Sequence, residues 1–297
     1  MHDTAMDIGK VFFDTYLKNA KRLTIVDVGS QDVNGSLRSV APANNKYIGI
    51  DFVEGQGVDI VITDPYVLPM ENDSVDVVVC SSCFEHSEFF WLLFNEIQRI
   101  LKPNGLFYLN VPSNGKFHRY PVDCWRFYPD SGIALQNWGR KNGYNTTLLE
   151  SFTGKQKKDI WNDFAAVFLK DFQFIEKHPD RIQTMYPTFM NGLIYGEEDF
   201  KKFSELPEDR LIYLHNNQLK PVLETSQSEI EKLTYEYQAL NDYLSQKNLD
   251  LRMAEGIFKK MYKHRLRKYA LRLLLGRKMT CRIQEWLRNL NFHTKQD

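Results

Sequence analysis

Apolar positions recur along this chain with two periods. Residues 4–21 place Ile8, Val11, Phe12, Tyr16 and Leu17 at helical spacing, which predicts an amphipathic helix. A run rich in β-branched residues follows and breaks at Gly29, predicting a buried strand and a glycine turn. Short strands are expected at 47–51, 58–63, 75–81 and 106–111, with a short helical stretch at 36–40 closed by Pro42. Residues 89–101 read as a helix that stops at Lys102-Pro-Asn-Gly105, and 131–141 as another that stops before Gly143. Residues 146–152 and 165–169 fit two last strands. This alternation predicts an α/β protein built on a parallel sheet.

Beyond residue 170 the pattern changes. Residues 171–217 show no clear period. Then Leu223, Ile230, Tyr237, Leu244 and Leu251 stand seven apart, with Ser226, Leu233, Leu240 and Lys247 in the second seam position. That is a short coiled-coil pattern, whose partner is a second copy or the protein's own body. From Phe258, Tyr262, Leu266, Tyr269 and Leu273 recur at helical spacing among Lys and Arg. The expected organisation is a body over 1–170, a connector over 171–217, a coiled coil over 218–252 and a basic amphipathic tail over 253–297.

Charge sharpens that division. The net charge is zero, yet from residue 252 onward thirteen Lys/Arg face only Glu255, Glu285 and Asp297, so a tail of +10 balances a body of −10. A basic amphipathic helix suits an anionic membrane surface, and a partner protein is the next reading. The acidic body and the absence of a recognition motif disfavour nucleic acid. No signal-peptide pattern opens the sequence and no 18-residue apolar run occurs, so a cytoplasmic location is expected, with peripheral contact at the inner membrane face. Four cysteines imply no disulfide framework, and one Cys80-x-x-Cys83 pair is weak for zinc; no metal is expected.

A strand that ends at a glycine turn lets backbone N–H groups approach a ligand closely. Here the turn reads Gly29-Ser-Gln-Asp-Val-Asn-Gly35, without the Gly-x-Gly-x-x-Gly that a pyrophosphate requires and with Asp32 where phosphates would lie. That disfavours a dinucleotide, and the missing P-loop lysine disfavours a triphosphatase.

With these strands placed, Val26-Asp-Val-Gly-Ser30 resembles the first motif of class I S-adenosylmethionine-dependent methyltransferases. Asp51 closes the second strand where that family keeps its ribose-binding acid, Asp64 follows the third strand, and Leu101-Lys-Pro-Asn-Gly105 matches a family turn. Ser81-Ser-Cys-Phe-Glu-His-Ser87 and His118-Arg-Tyr-Pro-Val-Asp-Cys-Trp-Arg-Phe-Tyr128 are similar to a bacterial subgroup associated with surface-glycan biosynthesis. Gln31 departs from the family's usual second glycine, which a cofactor without phosphate tolerates.

The resemblance implies a Rossmann-like methyltransferase sheet with a C-terminal helical extension, and S-adenosylmethionine as cofactor. Its cofactor residues would be Asp27, Gly29, Ser30, Asp51, Phe52, Asp64, Ser82 and His86. Asp27 alternatively satisfies loop amides, Asp64 alternatively starts a turn, and His86 alternatively caps the next helix. His118 is the first candidate base, with Asp123 orienting it or acting instead, and Arg119, Tyr120 and Arg126 would hold the acceptor. The competing reading of 118–128 is a lid packed by its own aromatics and salt bridges. The implied reaction is O-methylation of a sugar or cell-envelope precursor. A lipid, quinone or small-carboxylate acceptor, or a non-catalytic scaffold, are the rivals.

Overall fold

The structure is a computed structural model that describes residues 3–18, 20–157, 160–205, 208–246, 260 and 263–265. The body opens with helix α1 (Asp3–Tyr16) and continues with strands β1 (Thr24–Val28), β2 (Lys46–Asp51), β3 (Ile60–Val61) and β4 (Val75–Ser81). Helix α2 (Phe90–Ile100), strand β5 (Leu101–Pro112) and helix α3 (Ser131–Lys141) follow. Strands β6 (Thr147–Gly154) and β7 (Asp163–Leu169), the short helix α4 (Ile182–Met185) and strand β8 (Phe189–Ile194) complete it.

The eight strands form one sheet in the order β3-β2-β1-β4-β5-β7-β6-β8. β1 to β5 are parallel, whereas β7 is antiparallel to β5, β6 to β7 and β8 to β6. The sheet is therefore mixed, not wholly parallel as the alternation suggests. The connection from β6 to β7 is short and cannot carry the crossover that parallel neighbours need. Chain direction reverses its march across the sheet at β1, with β2 on one side and β4 on the other. Ligands bind α/β sheets beyond the carboxyl ends of strands at such a switch point.

Each face of the sheet buries its own apolar layer. Ile8, Phe12 and Phe13 of α1 pack on Val77, Tyr108, Phe152 and Val167, with Phe12 stacked on Tyr108 at 4.6 Å between centroids. On the other face Phe94 and Ile97 of α2 pack on Phe107 and Phe168, and Phe94 meets Phe168 edge-on at 5.3 Å. Fully burying an aliphatic or aromatic side chain of this size contributes about 1.5–3 kcal/mol, so the two layers hold the sheet rigid.

Several expected elements differ in detail. Residues 36–40 shrink to one 3₁₀ turn, Leu37–Ser39, because Ser36 caps it by accepting from the Arg38 amide at 3.2 Å and Pro42 lies just beyond. The expected strand over 58–63 pairs only at β3, an edge with one neighbour. Lys102-Pro-Asn-Gly105 is not a turn ahead of β5 but an irregularity inside it. The register jumps from Val75↔Leu101 to Val77↔Leu106, so the extra residues bulge outward. The segment without a clear period supplies α4 and β8. Glu150 draws α4 onto the sheet by accepting from Tyr16 Oη at 2.7 Å and from the Ile182 and Gln183 amides at 2.6 and 3.1 Å.

The chain divides into two units, Met1–Asp209 and Arg210–Asp297. Helix α5 (Glu208–Gln246) runs for 39 residues with Pro221 inside it. It contains heptad positions 223, 230, 237 and 244, while 251 and the tail from 266 onward lie outside the described residues. Among the described residues no helix is long and apolar enough to cross a membrane.

Candidate active site

Strand alternation aims the site's polar groups. Ile25, Val79 and Tyr108 face the α1 layer, so Asp27, Ser81 and Asn110, two residues along each strand, face it too at the carboxyl ends of β1, β4 and β5. All three are buried. Tyr47 Oη donates to Asp27 Oδ2 at 2.7 Å. Burial pushes the Asp27 carboxyl up from 3.8 to about 6, against the opposing pull of Tyr47 and of Arg38.

The loop after β1 turns at Gly29, whose φ of +80° favours glycine. A Cβ there would lie 2.6 Å from Cys83 Cβ, so the loop after β4 presses directly on it. The Gly29 and Ser30 amides donate to the Ile50 carbonyl, and the Gln31 amide donates to Asp51 Oδ2 at 3.0 Å. Asp51 Oδ1 accepts from the amides of Phe52 and Val53 at 2.8 and 3.3 Å. Three amides thus hold the carboxylate at the end of β2, beside a half-exposed Phe52 ring. Asp64 follows β3 in the sequence. It is exposed and accepts from the Tyr66 amide at 2.9 Å, which makes it a turn-starting residue.

After β4, Ser82 adopts a φ of +54° and its amide donates to the Asn110 carbonyl at 2.9 Å. Glu85 is 1% exposed, and neither carboxyl oxygen bonds another described residue. Burial raises its carboxyl from 4.5 to about 8, so it carries its proton at neutral pH. His86 Nδ1 meets the Val122 carbonyl, and its Nε2 stands 3.7 Å from Glu85 Oε1. Burial lowers the His86 imidazole below its ordinary value.

The segment after β5 is pinned by the residues just before β7. Asn114 donates to Asn162 Oδ1 at 3.0 Å and accepts from the Asn162 amide at 2.7 Å. Trp161 packs against Gly115, whose Cβ would fall 2.0 Å from the indole, and meets the His118 ring edge-on at 5.0 Å. His118 Nδ1 lies 3.3 Å from Asp123 Oδ2 and 3.2 Å from the Lys116 carbonyl, so these groups hold the Nδ1 side of the ring. Asp123 also accepts the His118 amide at 2.7 Å and a forked pair from Arg126 at 2.6 and 2.9 Å. Burial opposes its charge, but Arg126 and the His118 amide outweigh burial and hold Asp123 at about 2.

His118 and Asp123 therefore meet, whereas Arg126 spends its guanidinium on Asp123, Trp125 and Lys116. Tyr120 Oη donates to Gln31 in the loop after β1, and Arg119 is exposed. The lid reading is right about the internal salt bridge, and that bridge is what positions His118. Tyr47, Asn110, Asn114 and Trp161 escaped the sequence reading. Tyr47 had a signal, since its aromatic ring alternates with Gly49 toward the strand end; Trp161 follows no motif.

The donor set fits S-adenosylmethionine. Among the described residues the buried side-chain oxygens of Ser30, Ser81, Ser82 and Ser113 have no hydrogen-bond partner. Such buried groups call for hydrogen bonds that a polar cofactor can supply.

A family model described as "Methyltransferase domain" matches residues 9–109. No curated protein matches the chain. Among solved structures, a Burkholderia thailandensis 1,6-didemethyltoxoflavin-N1-methyltransferase with bound 1,6-didemethyltoxoflavin and S-adenosylhomocysteine is 14% identical, over 56% of this chain and 78% of that one, with a TM-score of 0.45. A complex of the Haloferax volcanii Trm112 methyltransferase activator and a putative methyltransferase matches at 18% identity, 57% and 95% coverage and a TM-score of 0.39. A SAM-dependent methyltransferase from Aquifex aeolicus matches at 13% identity, 57% and 100% coverage and a TM-score of 0.36. Residues 9–109, about a third of the chain, are thus similar to a methyltransferase domain, and the cofactor is S-adenosylmethionine.

Proposed function

We propose that the chain methylates a hydroxyl of a sugar or related cell-envelope precursor. The observation that carries this reading is the His118–Asp123 pair, held at the carboxyl end of β5 with the glycine loop bridged to the same segment through Tyr120. Bound S-adenosylmethionine supplies a methyl group already activated on a sulfonium. The protein's work is then to position the acceptor, exclude water and deal with one proton. Asp27 and Asp51 orient the two ends of the cofactor. The Nδ1 contacts of His118 leave the Nε2 lone pair for the proton that a hydroxyl loses as its oxygen takes the methyl group. Half-exposed Tyr120 and Trp125 offer flat faces on which sugar rings pack.

Methyl transfer from labelled S-adenosylmethionine to nucleotide sugars and glycan precursors tests the acceptor class. His118→Ala is expected to cut turnover at least tenfold while S-adenosylhomocysteine affinity stays within twofold. Full turnover in that variant removes His118 as base.

The heptad seam of α5 and the basic tail extend the proposal. The seam would pair copies of the chain, and the tail would hold it against anionic lipid on the cytoplasmic face. Light scattering of the full chain tests the first. Liposome sedimentation with and without residues 253–297 tests the second, and equal pelleting would sink it.

A further inference from the structure

Glu85, His86 and His118 bring one ligand atom each to within 4.8 Å of one another, although 32 residues separate the histidines in sequence. Two imidazoles and a carboxylate are a donor set for a first-row divalent cation. The surroundings of each histidine favour that use. The Val122 carbonyl takes the Nδ1 side of His86, and Asp123 with the Lys116 carbonyl takes the Nδ1 side of His118. Metal-ligating histidines are held in this way, by a carbonyl or carboxylate on the far nitrogen, so that the other lone pair faces the ion.

Glu85 supplies the independent observation. Its side chain is 1% exposed, and neither carboxyl oxygen bonds another described residue. A buried carboxyl without a hydrogen-bonding partner is costly, and a bound cation would satisfy it. Glu85 Oε1 and His86 Nε2 are 3.7 Å apart, close to the separation of about 3.4 Å between neighbouring ligands on one tetrahedral cation. The two imidazole rings meet edge to face at 4.9 Å. The nearby positive charge of Arg126 is taken up by its forked pair with Asp123.

We propose that Glu85, His86 and His118 bind one divalent cation of the zinc, manganese or iron class at the carboxyl ends of β4 and β5. Three protein ligands leave coordination positions open, as in catalytic sites. A hydroxyl reaching such a position becomes more acidic, because the cation stabilises the alkoxide. Only this use rests on the methyl-transfer reading; the binding does not. It reassigns one role within that reading: with the cation bound, His118 is a ligand, and the cation-bound hydroxyl gives its proton to solvent water as its oxygen takes the methyl group from sulfur.

The untagged full chain, treated with chelator and dialysed, is titrated with Zn²⁺ by calorimetry and with Co²⁺ by visible spectroscopy. The expected result is one equivalent bound, with cobalt bands of nitrogen and oxygen ligands. Glu85→Gln and His118→Asn should each weaken binding at least tenfold. Thermal melting of the metal-free variants checks folding. Should Glu85→Gln fail to fold, the half-buried His118→Asn alone decides. No stoichiometric binding, equal binding by the variants, or thiolate bands from Cys80 and Cys83 would overturn the proposal. S-adenosylhomocysteine is titrated in parallel. If it binds and the cation does not, the cation site fails and the methyltransferase reading stands; the reverse outcome fails that reading alone.

Discussion

Tyr120 Oη donates a hydrogen bond of 3.0 Å to Gln31 Oε1, tying the segment after β5 to the loop after β1. Gln31 in turn donates its amide to Asp51. One chain of contacts thus runs from the segment after β5 to Asp51. A neutral hydrogen bond of this kind contributes about 0.5–1.5 kcal/mol, or roughly 2–10-fold in affinity. Tyr120→Phe is therefore expected to weaken S-adenosylhomocysteine by that factor in calorimetry. The melting temperature should not move, because the Tyr120 side chain is half exposed. Gln31→Ala should give the same loss, and the double variant no more than either single one. Unchanged affinity in both would show that the bridge has no part in holding the cofactor.

Asp27 makes a pH dependence with a defined sign. Its carboxyl titrates at about 6 in the folded protein, raised from 3.8 chiefly by burial. Between about pH 4 and 6 the folded state binds more protons than the unfolded one, so stability falls as pH rises through that window. A shift of roughly two units corresponds to about 3 kcal/mol. On the proposal that Asp27 meets the cofactor's ammonium, binding runs the other way, since the ammonium needs the ionised carboxylate. Affinity for S-adenosylhomocysteine should rise from pH 5 to 7. Asp27→Asn should flatten both profiles and weaken binding at pH 7. Urea midpoints and calorimetry across that range give the two slopes.

How far the site could be read ahead of the structure depends on range in sequence. Asp27, Gly29 and Asp51 end strands whose apolar runs are continuous, so local pattern alone places them at the sheet's carboxyl edge. The mixed character of the last three strands leaves no such mark, because a buried strand has the same composition in either direction. Arg126 reads as an acceptor ligand because nothing local shows that Asp123, three residues earlier, claims both ends of its fork. Trp161 and Asn162 are invisible for a further reason. Their roles come from packing against 114–118, far away in sequence, which no periodicity encodes.

Gly29 tests the close approach of two loops. Alanine there must adopt a φ of +80° and place Cβ 2.6 Å from Cys83 Cβ, with the sulfur at 2.8 Å. Both the backbone and the contact oppose it. The cost is expected to exceed 1 kcal/mol, beyond the gain that Gly→Ala brings at compatible sites. Gly29→Ala should melt several degrees lower and bind S-adenosylhomocysteine at least tenfold more weakly. Adding Cys83→Gly, which deletes the clashing atoms, should recover part of the loss. No recovery at all would assign the effect to φ alone.

Arg126 decides whether the segment over 113–128 keeps His118 in place. Its fork satisfies Asp123, whose side chain is 1% exposed, and Asp123 in turn holds the His118 amide. Removing the guanidinium leaves a shielded carboxylate short of its main partner, at about 1–3 kcal/mol. Lysine should not restore the arrangement, because one ammonium cannot serve both carboxylate oxygens in the same plane. Asp123 titrates at about 2, held down by Arg126 and the His118 amide against the effect of burial. Its contribution is present above the ordinary carboxyl value of 3.8 and is lost as pH falls from about 4 to 2. Arg126→Ala should raise amide exchange over 113–128 at neutral pH, with the sheet core protected as before. The same variant should lower turnover more than S-adenosylhomocysteine affinity, since Asp27 and Asp51 lie outside the disturbed segment. Unchanged exchange in Arg126→Ala would mean that Trp161 and Asn162 hold the segment without the salt bridge.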